Sequence, residues 1–167
     1  VSKPVLQALV LAEHVYQDKR TGNWIIAGTF NRLCILRRTA PQENILHTPE
    51  EMKQIGEGFR KLHQAEIHKV GSPWVYISLT EVYGTVPLEL RYVDLSNSAV
   101  MLRVEFSARA SSPLETIQMG VLLPPLPAPH PGVYALELLS RDDLIGSHRI
   151  TVVESPAPEP QVEEGQP

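Results

Sequence analysis

The chain is 167 residues long, enough for one domain whose core needs neither disulfides nor a structural metal. Its 15 basic and 19 acidic residues give a formal charge of −4. That balance argues against a nucleic-acid surface, because phosphate binding requires clustered positive potential. A single cysteine, Cys34, cannot form an intrachain disulfide, so the fold makes no demand on an oxidising compartment, and cytoplasmic residence is the simpler expectation.

Lys3 ahead of the apolar run Val5 to Ala12 has the outline of a short export signal, but Gln7 interrupts the run and Glu13-His14 end it. It reads instead as a first strand that continues to Tyr16. No apolar run in the chain approaches the ~18–20 residues needed to cross a bilayer as a helix, so no membrane association is expected. Trp24 to Leu36 is a second β-rich run, and the intervening Gln17 to Asn23, with Asp18, Gly22 and Asn23, suits a hairpin connection. The two runs are expected to pair antiparallel.

Between Arg37 and Ser72 the period changes. Thr48-Pro49-Glu50-Glu51 supplies an N-cap, a proline at the first helical position and a glutamate at the third, the capping-box arrangement. Met52, Ile55, Phe59 and Leu62 follow at helical spacing, and His68-Lys69 precede Gly71 as at a helix end. A helix over Thr48 to Val70 is therefore expected, within an insertion of about residues 45–71. Gly56 and Gly58 weaken it by about 1 kcal/mol each relative to alanine.

After Pro73 the period returns to two. Trp74 to Tyr83 places Val75, Ile77 and Leu79 on one face and Trp74, Tyr76 and Ser78 on the other. Leu88, Leu90 and Tyr92 form a half-buried strand, and beyond a turn at Asn97, Val100, Leu102, Val104 and Phe106 form its hairpin partner. Ile117, Met119 and Val121 suggest another strand. Five prolines from Pro124 through Pro131 then break any ladder before the last hairpin. In that hairpin Tyr134, Leu136 and Leu138 lead through Arg141-Asp142-Asp143 to Ile150 and Val152. Ser155 to Pro167 carries four prolines, three glutamates and one aliphatic residue, Val162, and is expected to be disordered.

Eight or so strands, each with one apolar face to cover, imply two antiparallel sheets packed face to face. The expected fold is an immunoglobulin-like β-sandwich over residues 1–154, with a β-barrel as the alternative. Ala12-Glu13-His14-Val15, the stretch Thr21 to Phe30, Leu122-Leu123-Pro124 and Pro131-Gly132-Val133-Tyr134 through Val153 together resemble a bacterial family of uncharacterised domains predicted to be β-sandwiches. The resemblance implies a fold for nearly the whole chain. It implies no catalytic residues.

Candidate chemistry is sparse. His63 and His68 lie about 140° apart on a helical wheel, unlike the i,i+4 pairs that share a zinc ion. Cys34 sits in the apolar run Leu33-Cys34-Ile35-Leu36 and reads as a buried small hydrophobe. Asp18, Asp94, Asp142 and Asp143 all fall in or near turns, without the dense acidic loop that calcium requires. Ser111-Ser112 and Ser147-His148 lack a nucleophile turn, and Pro124 to Pro127 reads as a rigid connection in preference to a recognition ligand. Trp24 and Trp74 start strands, where they cap the core or, with Tyr76, offer a stacking platform for a carbohydrate. No catalytic residue, metal or cofactor is expected. The expected role is a non-catalytic protein-interaction module, with a ligand-binding sandwich and an enzyme of dispersed site as alternatives.

Overall fold

The computed structural model describes residues 3–36, 69–70 and 72–155. These form eleven strands: β1 (Val5–Gln17), β2 (Trp24–Thr29), β3 (Arg32–Leu36), β4 (Lys69–Val70), β5 (Trp74–Thr80), β6 (Gly84–Asp94), β7 (Ala99–Ala110), β8 (Ile117–Leu122), β9 (Leu126–Pro127), β10 (Gly132–Ser140) and β11 (Asp143–Ser155). No helix occurs among the described residues. The helix expected over Thr48 to Val70, with His63 and His68, lies outside them except at its end. There Lys69 and Val70 form β4, a short antiparallel ladder with Leu126 and Pro127. The proline-rich segment thus makes one brief pairing where none was expected.

Two larger sheets carry the fold, one of four strands in the order β2-β1-β5-β8 and one of five in the order β3-β11-β10-β6-β7. All pairings are antiparallel except that of β3 with β11. The expected hairpins form: β1 with β2, β6 with β7, and β10 with β11. The first turns on Asp18, whose carboxylate accepts from Arg20 N at 2.9 Å and Thr21 Oγ1 at 2.8 Å. The last turns on Arg141 and Asp142, both with positive φ (50° and 68°), which is the two-residue geometry matched to strand twist.

The run Trp24 to Leu36, read as one strand, is two. After β2 the chain leaves the first sheet at Phe30, whose N–H donates to Leu11 O at 3.2 Å, and Asn31 O already accepts from Thr151 N of the second sheet at 2.8 Å. The crossing is possible because β2 covers only the second half of β1 and β3 only the end of β11. The first halves of β1 and β11 face one another across a seam. Lys3 Nζ donates to Leu144 O at 3.3 Å there, and the Leu6 side chain occupies the space a Cβ on Gly146 would need. The seam curls the sheets into half a barrel, and no ladder closes it among the described residues.

One core fills the space between the sheets. Leu11, Val75, Ile77 and Leu79 of the first sheet meet Leu88, Leu90, Tyr92, Tyr134, Leu136, Leu138 and Ile150 of the second. β10 is the most enclosed strand, lying between β11 and β6 with Tyr134, Leu136 and Leu138 no more than 1% exposed. The proline-rich connection contributes Leu123, Leu126 and Ala128 to the same core, as befits a rigid connection.

Candidate functional site

The described residues bring the aromatic candidates together, and not where a core cap would sit. Trp24, Trp74 and Tyr76 meet on the outer face of the four-stranded sheet, in a second apolar cluster with Ala8, Val10, Ala12, Val15 and Ile26. Register explains the grouping. Trp74 lies opposite Ala12 and Leu122, and Tyr76 opposite Val10 and Gly120, so all share one face. Ala12 and Val15 also share it, although strict alternation would separate them. Across from this break in alternation, Gly28 has φ +68° against the Glu13 side chain.

Gly120 makes room for the rings. A Cβ there would stand 3.0 Å from Val15 Cγ1 and 3.3 Å from the Trp24 ring. Trp24 packs on Tyr76 with ring centroids 5.9 Å apart and planes tilted by 58°. Tyr76 is 7% exposed and its hydroxyl accepts from Gln118 Nε2. Trp24 and Trp74 are half-buried, and Leu122 at the rim is 52% exposed. The result is an apolar cluster on the outer face with two half-buried indoles.

The other candidates disperse. Cys34 is exposed, contrary to the sequence reading, because β3 is an edge strand that alternates: Leu33 and Ile35 point into the core and Cys34 points out. Asp142 and Asp143 belong to the last hairpin, far in sequence from Asp18 in the first. No group of three or more potential metal-ligating His, Cys, Asp or Glu side chains occurs among the described residues. Ser147 is exposed on β11, and His148 Nε2 lies 3.3 Å from Phe30 O in the seam. A cleft of about 440 Å³ beside the crossing is lined by Glu13, His14, Phe30, Arg32, Leu33, Ser72 and Pro73, with no cysteine among its lining.

One polar cluster escaped the sequence reading. Asp94, 1% exposed, accepts from Ser96 N at 2.9 Å and Ser96 Oγ at 2.7 Å through Oδ1, and pairs with His130 Nε2 at 2.8 Å through Oδ2. His130 Nδ1 lies 3.0 Å from Pro131 O, so each ring nitrogen faces an acceptor and the imidazolium satisfies both. These contacts raise the His130 pKa, through the Pro131 carbonyl and then Asp94, and lower that of Asp94, chiefly through the Ser96 hydroxyl. Tyr134 Oη donates to His130 O at 2.9 Å, four residues back, tying the proline-rich connection to β10 as a tyrosine corner. The Tyr134 hydroxyl is buried and committed, so the cluster holds the chain and offers no accessible nucleophile. A histidine four residues before a tyrosine, at a Pro-Gly strand start, was the available sequence signal.

Tyr92 stacks on Tyr134 with centroids 5.3 Å apart, and its buried hydroxyl has no hydrogen-bond partner. Burial pushes that phenol's pKa up. Tyr92→Phe removes an unpaired polar atom while keeping the ring, and is expected to stabilise the domain by about 1 kcal/mol in a urea titration. A loss of stability would mean the hydroxyl has a partner in solution.

The class so defined is a mainly β domain of two sheets around one core, with an apolar cluster on the outer face of one sheet. No family model matches the chain and no curated protein matches it, consistent with the resemblance to an uncharacterised family. Among solved structures it is similar to a glycosyl hydrolase family 2 member from Bacteroides cellulosilyticus, at 24% identity and a TM-score of 0.35, over 50% of this chain and 12% of that one. That likeness is too slight to bear on activity. No helix among the described residues is long and apolar enough to cross a membrane.

Proposed function

We propose that this domain is a non-catalytic protein-binding module whose binding surface is the outer face of the four-stranded sheet. The observation that carries the reading is the apolar cluster of Trp24, Trp74, Tyr76, Val10 and Ile26 on a face where an antiparallel sheet ordinarily turns polar residues to water. The helix expected over Thr48 to Val70 lies outside the described residues except at its end, so the argument rests on this face alone.

A protein fits this face better than a sugar does. Sugar stacking calls for open ring faces with hydrogen-bonding groups beside them, whereas Tyr76 is buried, its hydroxyl is engaged by Gln118, and Trp24 is tilted against it. Apolar rim residues such as Leu122 instead suit the centre of a protein interface. The tyrosine corner at Tyr134 and the shared core support an immunoglobulin-like sandwich as the finer class. The single thiol suits a cytoplasmic setting.

The test is a comparison of Leu122→Glu with Leu114→Glu, the latter at an 89% exposed loop position. Both are expected to melt like the parent chain. A protein recovered from source cells with the parent and with L114E, then shown to bind the purified parent directly, should lose at least about tenfold in affinity to L122E. Equal binding by both variants removes this face from the interface, and saturable binding of an oligosaccharide panel by the parent alone would favour the ligand-binding alternative.

A further inference from the structure

The five-stranded sheet ends in an unusual edge. β7, Ala99–Ala110, is twelve residues long and pairs only with β6 among the described residues, whereas the other edges of the two sheets, β2, β3 and β8, have six residues or fewer. A long free edge is a template for another strand, and β7 has no proline to block one. Its core-facing side chains are also incompletely covered. Leu88, Leu90 and Tyr92 of β6 are at most 3% exposed, yet Phe106, Val104 and Leu102 directly opposite them are only half-buried.

The charges on the outward face specify what pairs there. Within the chain, β6 and β7 place like charges side by side: Arg91 opposite Arg103 and Glu89 opposite Glu105. Arg91 satisfies Glu89 within its own strand at 2.6 Å, and Arg103 reaches Glu89 only diagonally, at 3.6 Å. Glu105 makes no ion pair among the described residues. A row that leaves Arg103 and Glu105 two residues apart, with no opposite charge directly across from either, is self-complementary.

We propose that β7 is a homodimer interface, pairing antiparallel with β7 of a second copy about a two-fold axis through Val104. In that register Arg103 of each copy lies opposite Glu105 of the other, twice, and Leu102 lies opposite Phe106 on the core side. A two-fold perpendicular to the sheet keeps core-facing residues on one side, so the two five-stranded sheets become one continuous sheet. The axis at Val104 pairs Leu102 to Phe106 of each copy as a regular ladder, up to the bulge at Met101. Moving it by one residue either way sets Arg103 against Arg103 or Glu105 against Glu105, so charge selects the register. The interface lies on the sheet opposite the aromatic face and is independent of what that face binds.

The test uses the full chain in sedimentation equilibrium across a micromolar concentration series, with thermal melts to confirm folding. The parent should be a concentration-dependent dimer. Arg103→Glu and Glu105→Arg, each turning two attractive pairs into repulsive ones, should raise its dissociation constant about ten- to hundredfold. The double exchange R103E/E105R, which restores opposite charges across the axis, should recover the dimer. A parent that stays monomeric throughout overturns the proposal. So does a dimer indifferent to both single reversals, since it must then form through another surface, or a double exchange that fails to recover association while remaining folded.

Discussion

Leu136→Ala is expected to lower the unfolding free energy by about 2–5 kcal/mol, a large share of what a domain of this size possesses. Leu136 is 1% exposed at the middle of β10, the strand flanked by β11 and β6. Its side chain enters the core shared by both sheets, so truncation loses transfer free energy and leaves a cavity that neither sheet can collapse to fill. The control is Leu114→Ala, at an 89% exposed position, expected within about 0.5 kcal/mol of the parent. Urea titrations separate the two, with an unchanged m-value showing that the same surface is exposed on unfolding. At ~2–4 °C per kcal/mol, the melting temperature of the Leu136 variant should fall by roughly 10 °C. Equal effects at the two positions would mean that β10 is not at the centre of the core.

Breaking the Asp94–His130 pair is expected to flatten the pH dependence of stability. The His130 pKa is raised above its ordinary 6.5, so its contribution is fully present below that value and is lost as pH rises through the folded-state value. The Asp94 pKa is lowered from 3.8, so its contribution is present above that value and is lost as pH falls through the folded-state value. Both hold between about pH 4 and 6.5. Stability from this pair should therefore be greatest there and decline above neutrality as the imidazolium loses its proton.

Asp94→Asn keeps an acceptor for Ser96 but removes the charge that holds His130, so the alkaline decline should shrink and the peak in mildly acid solution should fall. His130→Gln should remove the alkaline decline as well while leaving the tyrosine corner, whose acceptor is the His130 carbonyl. Melting temperatures from pH 4 to 9 decide the matter. A parent curve that rises steadily through pH 8, or variants that keep the parent's alkaline decline, would show that His130 does not carry a stabilising charge. The groups facing the pair are Ser96, the Pro131 carbonyl and the two buried phenols Tyr92 and Tyr134. None of these titrates in that range, so His130 dominates the alkaline limb.

Strand positions were legible because period-two alternation is a local property. Val75, Ile77 and Leu79 declare one face and Trp74, Tyr76 and Ser78 the other, whatever the strand's neighbours are. The hairpins were equally legible, since Asp18 and Gly22, Asn97, and Arg141-Asp142 are turn residues whose conformations depend on adjacent atoms. Cys34 misled for a related reason. A short apolar run looks the same whether it is covered on two faces or one, and only the place of β3 at a sheet edge exposes the thiol. The break at Phe30 was hidden because a strand that changes sheets needs no turn residue when both partners offer free edges.

The amino-acid sequence by itself determined a mainly β chain, most of its strands, its hairpins and the apolar character of each face. Tertiary structure decided which faces meet. It turned Trp24, Trp74 and Tyr76 outward together, brought Asp94 against His130 across thirty-six residues of chain, and left β7, among the described residues, with a free edge whose charges complement their own reverse. Alternation and turn chemistry act over a few residues, but sheet order and register depend on the total surface buried when all strands are placed at once.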